Sequence, residues 1–505
     1  MKPAADIYSP AVRLAHALAA GLLAALGWTG LRLAWLAEAD WMSPGFARLV
    51  DRLTPRGSVI EWHVGLGVTL AALGLFYLLY LLLSGEARRL FNLFSPRPYS
   101  FTKKVFYLLS LATGLVAIVS GVTMYAGLYR GPDGFIFNQL LHHWCFRLLV
   151  LFALFHLLDV IVTGRSSLND IFFRRPRPGS VRPLLLLLSL PVAVVFGITL
   201  FVLLHKPYRL LCREQNRVAV IDGREYDIEW IGCDSVVVQT HGGANFESSS
   251  APVTVKAFRT ARRIFMLLRW PDPTWFYNRY LVRTADGWRE ELSEYPDLFG
   301  EDIFSEDKLA VSFHRDDGGC AASCHIRTPG RMGLHYTGGD TADVWVWMAV
   351  STNPAREADD RWWGGHVDSL TGGRHFDNKA AGGYRSNYDQ QWQHPYFLPT
   401  NRAMSRWIWY RSTAWKPWQF DEDTFSVGSR VPAVLVAPTT GDRGDLVARG
   451  GWSDGIWTVE LSRSISTGSP YDLPMTGVLH LGVALFENAD SKHAYHLRPI
   501  RLEVE

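Results

Sequence analysis

Five apolar stretches crowd the first 205 residues, and each is long enough to cross the roughly 30 Å hydrocarbon core of a bilayer. They run Val12–Leu36, Val59–Leu83, Val105–Leu128, Leu140–Val162 and Leu184–Leu204. In lipid the backbone polar groups must be satisfied within the segment, so the expected form is a five-helix membrane bundle. The first stretch is not a secretory signal, because no small-residue cleavage site follows it and four more spans do.

The loops between the stretches set their direction. Arg88, Arg89, Arg97, Lys103 and Lys104 lie between spans two and three, and Arg165, Arg174, Arg175, Arg177 and Arg182 between spans four and five. With Lys2 and Arg13 they gather on one side, whereas the opposite loops offer Arg48, Arg52, Arg56 and Arg130. The positive-inside rule then makes the N-terminus cytoplasmic, and five crossings deliver everything after His205 to the outer side. The expected location is a bacterial cytoplasmic (inner) membrane, with a periplasmic C-terminal domain.

Charge divides at the same place. The first 205 residues carry 18 Lys and Arg against 9 Asp and Glu, and the remainder 33 against 39. A soluble single-domain enzyme is excluded, and so is a nucleic-acid binder, since the second half has no basic stripe. Five cysteines in 505 residues exclude a disulfide scaffold.

Ionisable groups within spans are costly and point to function. His16, His63, His142 and His156 lie in or at the ends of the apolar helices. Any one of them alone reads equally well as an interfacial or hydrogen-bonded core histidine. Together they form a pattern. His142 and His156 are fourteen residues apart, which leaves them within roughly 40° of one helix face and about 21 Å apart along the axis. His143 points some 140° away from His156, roughly, and is set aside. By topology His16 and His156 share the inner depth, and His63 and His142 the outer depth. Imidazole pairs across a helical bundle are how such a scaffold fills the two axial positions of a haem iron. The expectation is two b-type haems stacked across the membrane, His16 with His156 and His63 with His142.

One histidine on each of spans one and two, and two on span four, resembles the di-haem cytochrome b subunits of formate dehydrogenase and nickel–iron hydrogenase. The resemblance covers about residues 8–175. It implies a quinone near the cytoplasmic haem, close to His16 and His156. Asp159 could relay protons there, or simply be a polar residue at a helix end. Arg147 could meet a haem propionate or snorkel, and Cys145 reads as an inert buried thiol.

After Tyr208 short alternating runs take over, broken by Gly, Pro, Asn and Asp, as in Ser235–Thr240, Val253–Phe258, Ile264–Arg269, Lys308–Phe313, Trp457–Leu461 and Val478–Phe486. They predict a mainly β, sandwich-like domain. The expected division is a membrane domain over 1–205 and an extracytoplasmic β-rich domain over 206–505.

Within that half, Cys320-Ala-Ala-Ser-Cys324-His325 places two thiols beside a histidine. Thioether attachment of haem c needs this arrangement, usually with two residues between the cysteines rather than three. A disulfide or a zinc site competes, although zinc lacks a second Cys/His pair nearby. The reading taken is a covalent haem c at Cys320 and Cys324 with His325 as proximal ligand. Distal candidates are His335, Met348, His366, His375, Met404, Met475, Lys492, His493 and His496. Cys212 and Cys233 could form a disulfide. Asp421-Glu422-Asp423 and Glu301-Asp302 read as solvated acidic patches, or as a docking face for a basic cytochrome c.

Residues 305–505 resemble the haem-binding domain of the ethylbenzene dehydrogenase gamma subunit. The residues that carry the likeness are Asp343-Val-Trp345-Val-Trp347, Gly382-Gly-Tyr384 with Asn387, Gly451-Trp452-x-Asp454-Gly-x-Trp457 and Leu479–Phe486. It implies a haem ligand from the loop after the last long strand, Asn488–His496. That loop offers His493 first, then His496 or Lys492. The covalent motif is a departure from the gamma subunit.

The function these readings imply is a membrane-anchored b/c-type cytochrome subunit. It would transfer electrons between the quinone pool and a periplasmic redox partner through two haems b and one haem c. The partner would be a molybdoenzyme, an iron–sulfur protein or a cytochrome c, within a hetero-oligomeric respiratory or photosynthetic complex. The alternatives are a self-sufficient quinol:cytochrome c oxidoreductase, and a non-redox membrane anchor or sensor.

Overall fold

The computed structural model describes residues 10–37, 53, 59–83, 101–126, 131–163, 208–240, 243, 245–246, 251–277, 279–292, 305–315, 341–363, 374–400, 405–410, 412–490, 493–496 and 499–505. The chain divides into two compact units, the first holding most of the residues up to Lys206 and the second Pro207–Glu505 with Ala34–Ala47 and Pro55–Ser58.

In the first unit four helices are long and apolar enough to cross a membrane. They are α1 (Pro10–Ala37), α2 (Val59–Leu83), α3 (Phe101–Ala126) and α4 (Gly131–Thr163). Each contains the apolar stretch read from the sequence, to within two residues at its C-terminal end. The fifth expected span, Leu184–Leu204, lies outside the described residues, so the bundle has four described helices rather than five. Large apolar side chains such as Leu109, Leu115, Leu154 and Phe155 face outward. That surface suits lipid, where leucine at the periphery carries no penalty.

The second unit is mostly β. Its main sheet has thirteen strands: β1 (Tyr208–Glu214), β2 (Ser235–Gln239), β3 (Pro252–Arg259), β4 (Arg263–Pro271), β5 (Lys308–His314), β6 (Ala342–Met348), β7 (Asp359–Trp363), β8 (Arg374–Phe376), β9 (Val447–Ser453), β10 (Ile456–Ser464), β11 (Gly477–Phe486), β12 (Ala494–Tyr495) and β13 (Ile500–Val504). The order is β8-β7-β6-β5-β11-β13-β1-β3-β4-β10-β9, with β2 beside β3 and β12 beside β11. All six runs picked from their alternation are strands here.

β1 is where the sheet curls. Its first part, Tyr208–Cys212, runs parallel to Ile500–Val504, and its last two residues pair with Phe258 and Arg259 of β3. The two flanks then face each other across one core. Val255, Met266, Leu268 and Trp457 come from one flank, and Val311, Trp347, Leu481 and Val483 from the other. A second, smaller core gathers Leu281, Trp288, Leu398 and Val431. The β9–β10 hairpin closes on Asp454 and Gly455, both at positive φ (53° and 76°), the two-residue turn whose twist matches flanking strands.

Two expectations change. Cys212 and Cys233 are free thiols, and Cys233 Sγ donates to the Glu229 carbonyl at 2.9 Å. Asp423 is not solvated. Its carboxylate accepts the indole N–H of Trp288 at 2.8 Å and of Trp418 at 3.1 Å, which withdraws it from any docking face. Glu301 and Asp302 lie outside the described residues.

Candidate functional site

The membrane unit brings its histidines together in two pairs. The rings of His16 and His156 are 5.9 Å apart between centres and tilted by 33°. Those of His63 and His142 are 6.2 Å apart and nearly perpendicular. Both pairs join α4 to another helix, α1 in one case and α2 in the other. Along α4 their members are about 21 Å apart, at 1.5 Å per residue.

The outer pair is held by the helix backbones. Thr29 Oγ1 lies 3.0 Å from the Ala25 carbonyl oxygen and 3.2 Å from that of Leu26, within reach of both as a donor. The Nδ1 of His63 shares a hydrogen bond of 2.9 Å with the same oxygen. His142 Nδ1 donates to the Ala117 carbonyl at 2.9 Å, with Ser120 Oγ also 3.1 Å away. The carbonyl partner puts hydrogen on the Nδ1 of His142, which leaves its lone pair on Nε2. This is how metal-binding imidazoles are oriented, by a hydrogen bond to the other nitrogen.

Each ring also lies against a glycine that directly follows its hydroxyl partner. A Cβ added at Gly30 would meet His63 Cε1 at 3.3 Å, and one at Gly121 would meet His142 Cε1 at 3.1 Å. The indole N–H of Trp28, next to Thr29, is buried with no hydrogen-bond partner. In the inner pair, Tyr107 Oη shares a hydrogen bond of 3.2 Å with His156 Nδ1, and Phe152 stacks on the His156 ring at 5.7 Å.

These donors fit a haem iron. An iron bound at roughly 2 Å by one nitrogen of each ring holds the ring centres about 6 Å apart, as both pairs are. The sequence reading missed Thr29, Gly30, Tyr107, Ser120, Gly121 and Phe152. A signal was present, in Thr29-Gly30 on α1 and Ser120-Gly121 on α3, each a hydroxyl followed by a glycine within an apolar helix. Arg147 stands over the Trp144 ring at 5.0 Å, and Cys145 is buried as expected. The side chain of Asp159 lies outside the described residues.

In the β unit, Cys320, Cys324, His325 and Lys492 lie outside the described residues, as do His335, His366 and Met404. The remaining distal candidates separate by environment. Met348 and Met475 are buried in hydrophobic clusters, and His375 stacks on Trp362 at 4.0 Å. His496 Nε2 accepts the Val483 N–H at 2.9 Å, so that nitrogen holds a strand end. His493 is buried, its ring 4.9 Å from Phe486.

The loop bearing His493 is anchored at its foot. Asp307 accepts the Asn488 N–H at 3.1 Å and the Trp457 indole N–H at 3.1 Å. Glu487 is pushed up to about 11 by burial first and by the neighbouring Asp307 charge second.

Helices, paired imidazoles and a curled β-sheet define a membrane cytochrome b joined to a β domain. Residues 7–174 match the family model described as prokaryotic cytochrome b561. Residues 227–498 match the one described as ethylbenzene dehydrogenase, and the chain belongs to that family, whose model covers more than half of it. The two matches describe an integral-membrane cytochrome b electron-transfer subunit. No curated protein matches the chain significantly. Two solved structures of a carbohydrate binding module family 9 from Caldicellulosiruptor kristjanssonii share 9% identity with it. The glucose complex covers 58% of this chain and 95% of its own, with a TM-score of 0.23. The cellotriose complex covers 59% and 93%, with a TM-score of 0.22. Scores this low carry no argument.

Proposed function

We propose that the chain links the quinone pool to a redox partner outside the cytoplasmic membrane. In this reading it holds two haems b and one haem c. His16 and His156 take the inner haem b, His63 and His142 the outer one. Cys320 and Cys324 attach the haem c, with His325 proximal and His493 distal, and His496 and Lys492 as its alternatives. Haem supplies reversible one-electron chemistry, and the protein supplies ligation, orientation and burial.

The observation that carries the reading is the pairing of the four histidines at 5.9 and 6.2 Å, two depths apart on one helix. The Ala117 carbonyl holds the His142 imidazole in one tautomer, Thr29 hydrogen-bonds His63, and Tyr107 holds His156. A quinone headgroup would bind near His16 and His156, with Asp159 close by in sequence for proton delivery. The excess of basic residues in the loops before span three and after span four supports a cytoplasmic N-terminus and a periplasmic β domain. The outer partner would be a molybdoenzyme, an iron–sulfur protein or a cytochrome c, in a hetero-oligomeric complex.

The test is a pyridine haemochrome spectrum of the purified chain before and after acid–acetone extraction. Two extractable haems b and one retained haem c per chain are expected. Absence of haem b would overturn the proposal. Haem b without a retained haem would remove the Cys320–Cys324 assignment alone.

A further inference from the structure

A crowd of carboxylates stands at the root of the segment that carries Cys320–His325. Asp343 lies in β6, opposite Phe313 of β5, and Asp360 lies in β7, opposite Trp345. Asp377 follows β8, Asp442 opens a short 3-10 turn that Asp445 caps, and Asp472 lies in the loop before β11. One oxygen each from Asp343, Asp360 and Asp472 falls within 4.8 Å of the others, and so does one each from Asp377, Asp442 and Asp472. Asp472 belongs to both sets, so the acids are continuous.

The cations do not balance them. Among the described residues Arg463 alone makes ion pairs with this group, to Asp343 at 2.6 Å, Asp360 at 3.1 Å and Asp472 at 3.3 Å. Both oxygens of Asp377 are buried with no hydrogen-bond donor among the described residues, on a residue only 4% exposed. Asp343, Asp360 and Asp445 each leave one buried oxygen in the same condition. Asp377 faces Asp472, and Asp445 faces Asp360, carboxylate to carboxylate. Left without a cation, such contacts must take up protons. Burial first, then the Asp472 charge, pushes Asp377 up to about 8.

The ligand chemistry is all oxygen, with no His or Cys in either set. Hard carboxylates converging from several chain segments suit Ca2+, which accepts irregular geometry, better than Mg2+, which demands a near-ideal octahedron. The Asp472 side chain is buried, but Asp442 is half-buried, so an ion could reach the place from solvent on that side. We propose that Asp377, Asp442 and Asp472 form a calcium site that ties β8, the Asp442 turn and the Asp472 loop to the root of the residue 316–341 segment. The site does not depend on the haem assignments.

Terbium, a luminescent calcium surrogate, reports on it directly. Trp362 stacks on Tyr471, next to Asp472, with ring centres 4.6 Å apart, and provides a nearby sensitiser. The full-length protein in detergent, stripped with EGTA, should give Tb3+ emission on tryptophan excitation. Calcium should displace it with an affinity of about 10⁻⁴–10⁻³ M, the range of extracellular modules. Asp377→Asn and Asp442→Asn should each weaken calcium binding by about tenfold or more while leaving the circular dichroism unchanged. Asp442 is half-buried, so its variant remains informative if Asp377→Asn misfolds. No sensitised emission from the wild type would overturn the proposal. So would an Asp442→Asn variant that binds terbium and calcium as tightly as the wild type, because it would place the ion elsewhere, such as at Asp272, Asp307 and Glu487.

Discussion

The Nδ1 of His142 on α4 lies 2.9 Å from the carbonyl oxygen of Ala117 on α3, a bond that settles which nitrogen can bind a metal. The same ring faces His63 across 6.2 Å. Replacing His142 with alanine should therefore remove one haem b of two and leave the other. A haemochrome assay of His142→Ala should show half the wild-type haem b, and His156→Ala should do the same for the inner haem. Loss of both haems in either variant would contradict independent sites.

Gly121 gives a finer probe. A methyl there would press on His142 Cε1 at 3.1 Å, whereas one at Gly114 of the same helix would meet nothing within 4 Å. Gly121→Ala should lower haem b content or broaden its spectrum, and Gly114→Ala should match the wild type. Equal behaviour would mean that α3 yields enough to absorb the contact.

Hydrogen bonds to the outer imidazoles should tune potential more than occupancy. Thr29→Val removes the hydroxyl that hydrogen-bonds His63 Nδ1 and keeps the side chain's shape. A redox titration should find one haem b shifted by roughly tens of millivolts, the scale of a single hydrogen bond, with its content preserved.

Covalent attachment is tested by Cys320→Ala and Cys324→Ala. Each should lower or abolish the haem that survives acid–acetone, and the extractable haem b should remain. His493→Ala should alter the spectrum of the retained haem without releasing it. An unchanged spectrum would remove His493 from the ligand set.

The β unit should lose stability as pH rises when calcium is absent. Asp377 is raised from 3.8 to about 8, with Asp472, Asp442 and Asp343 facing it. A carboxyl raised on folding binds its proton more tightly in the native state. Its stabilising contribution is complete below pH 3.8, and it declines until the folded value is passed. In EGTA the melting temperature should fall between pH 5 and pH 8, and Asp377→Asn should flatten that decline. A rise over the same interval would show that other groups dominate.

Much of this molecule could be read from its residues. Four helices and six strands were visible as periodicity, and the pairing of His16 with His156 and of His63 with His142 followed from depth and order alone. What escaped was what depends on distant chain segments meeting. Ser120 and Gly121 matter because α3 lies beside His142, and no local pattern states that neighbour. Asp423 looked like part of an acidic surface run, yet two indoles and Arg283 surround it. The carboxylates around Arg463 are scattered from Asp343 to Asp472, and only the sheet order brings them together.

The way β1 is held carries a consequence for biogenesis. Tyr208–Cys212, the first strand of its domain, finds its parallel partner in Ile500–Val504, the last. The curl of the sheet therefore cannot close until Ile500–Val504 has been made. Until the final strand arrives, both edges that β1 will join stand open, and unpaired edges invite association with other chains. Those edges stay open for as long as the residues between the two strands take to be made. If haem is attached at Cys320 and Cys324 as proposed, attachment before Ile500–Val504 is made would act on a domain whose first strand still lacks its neighbour.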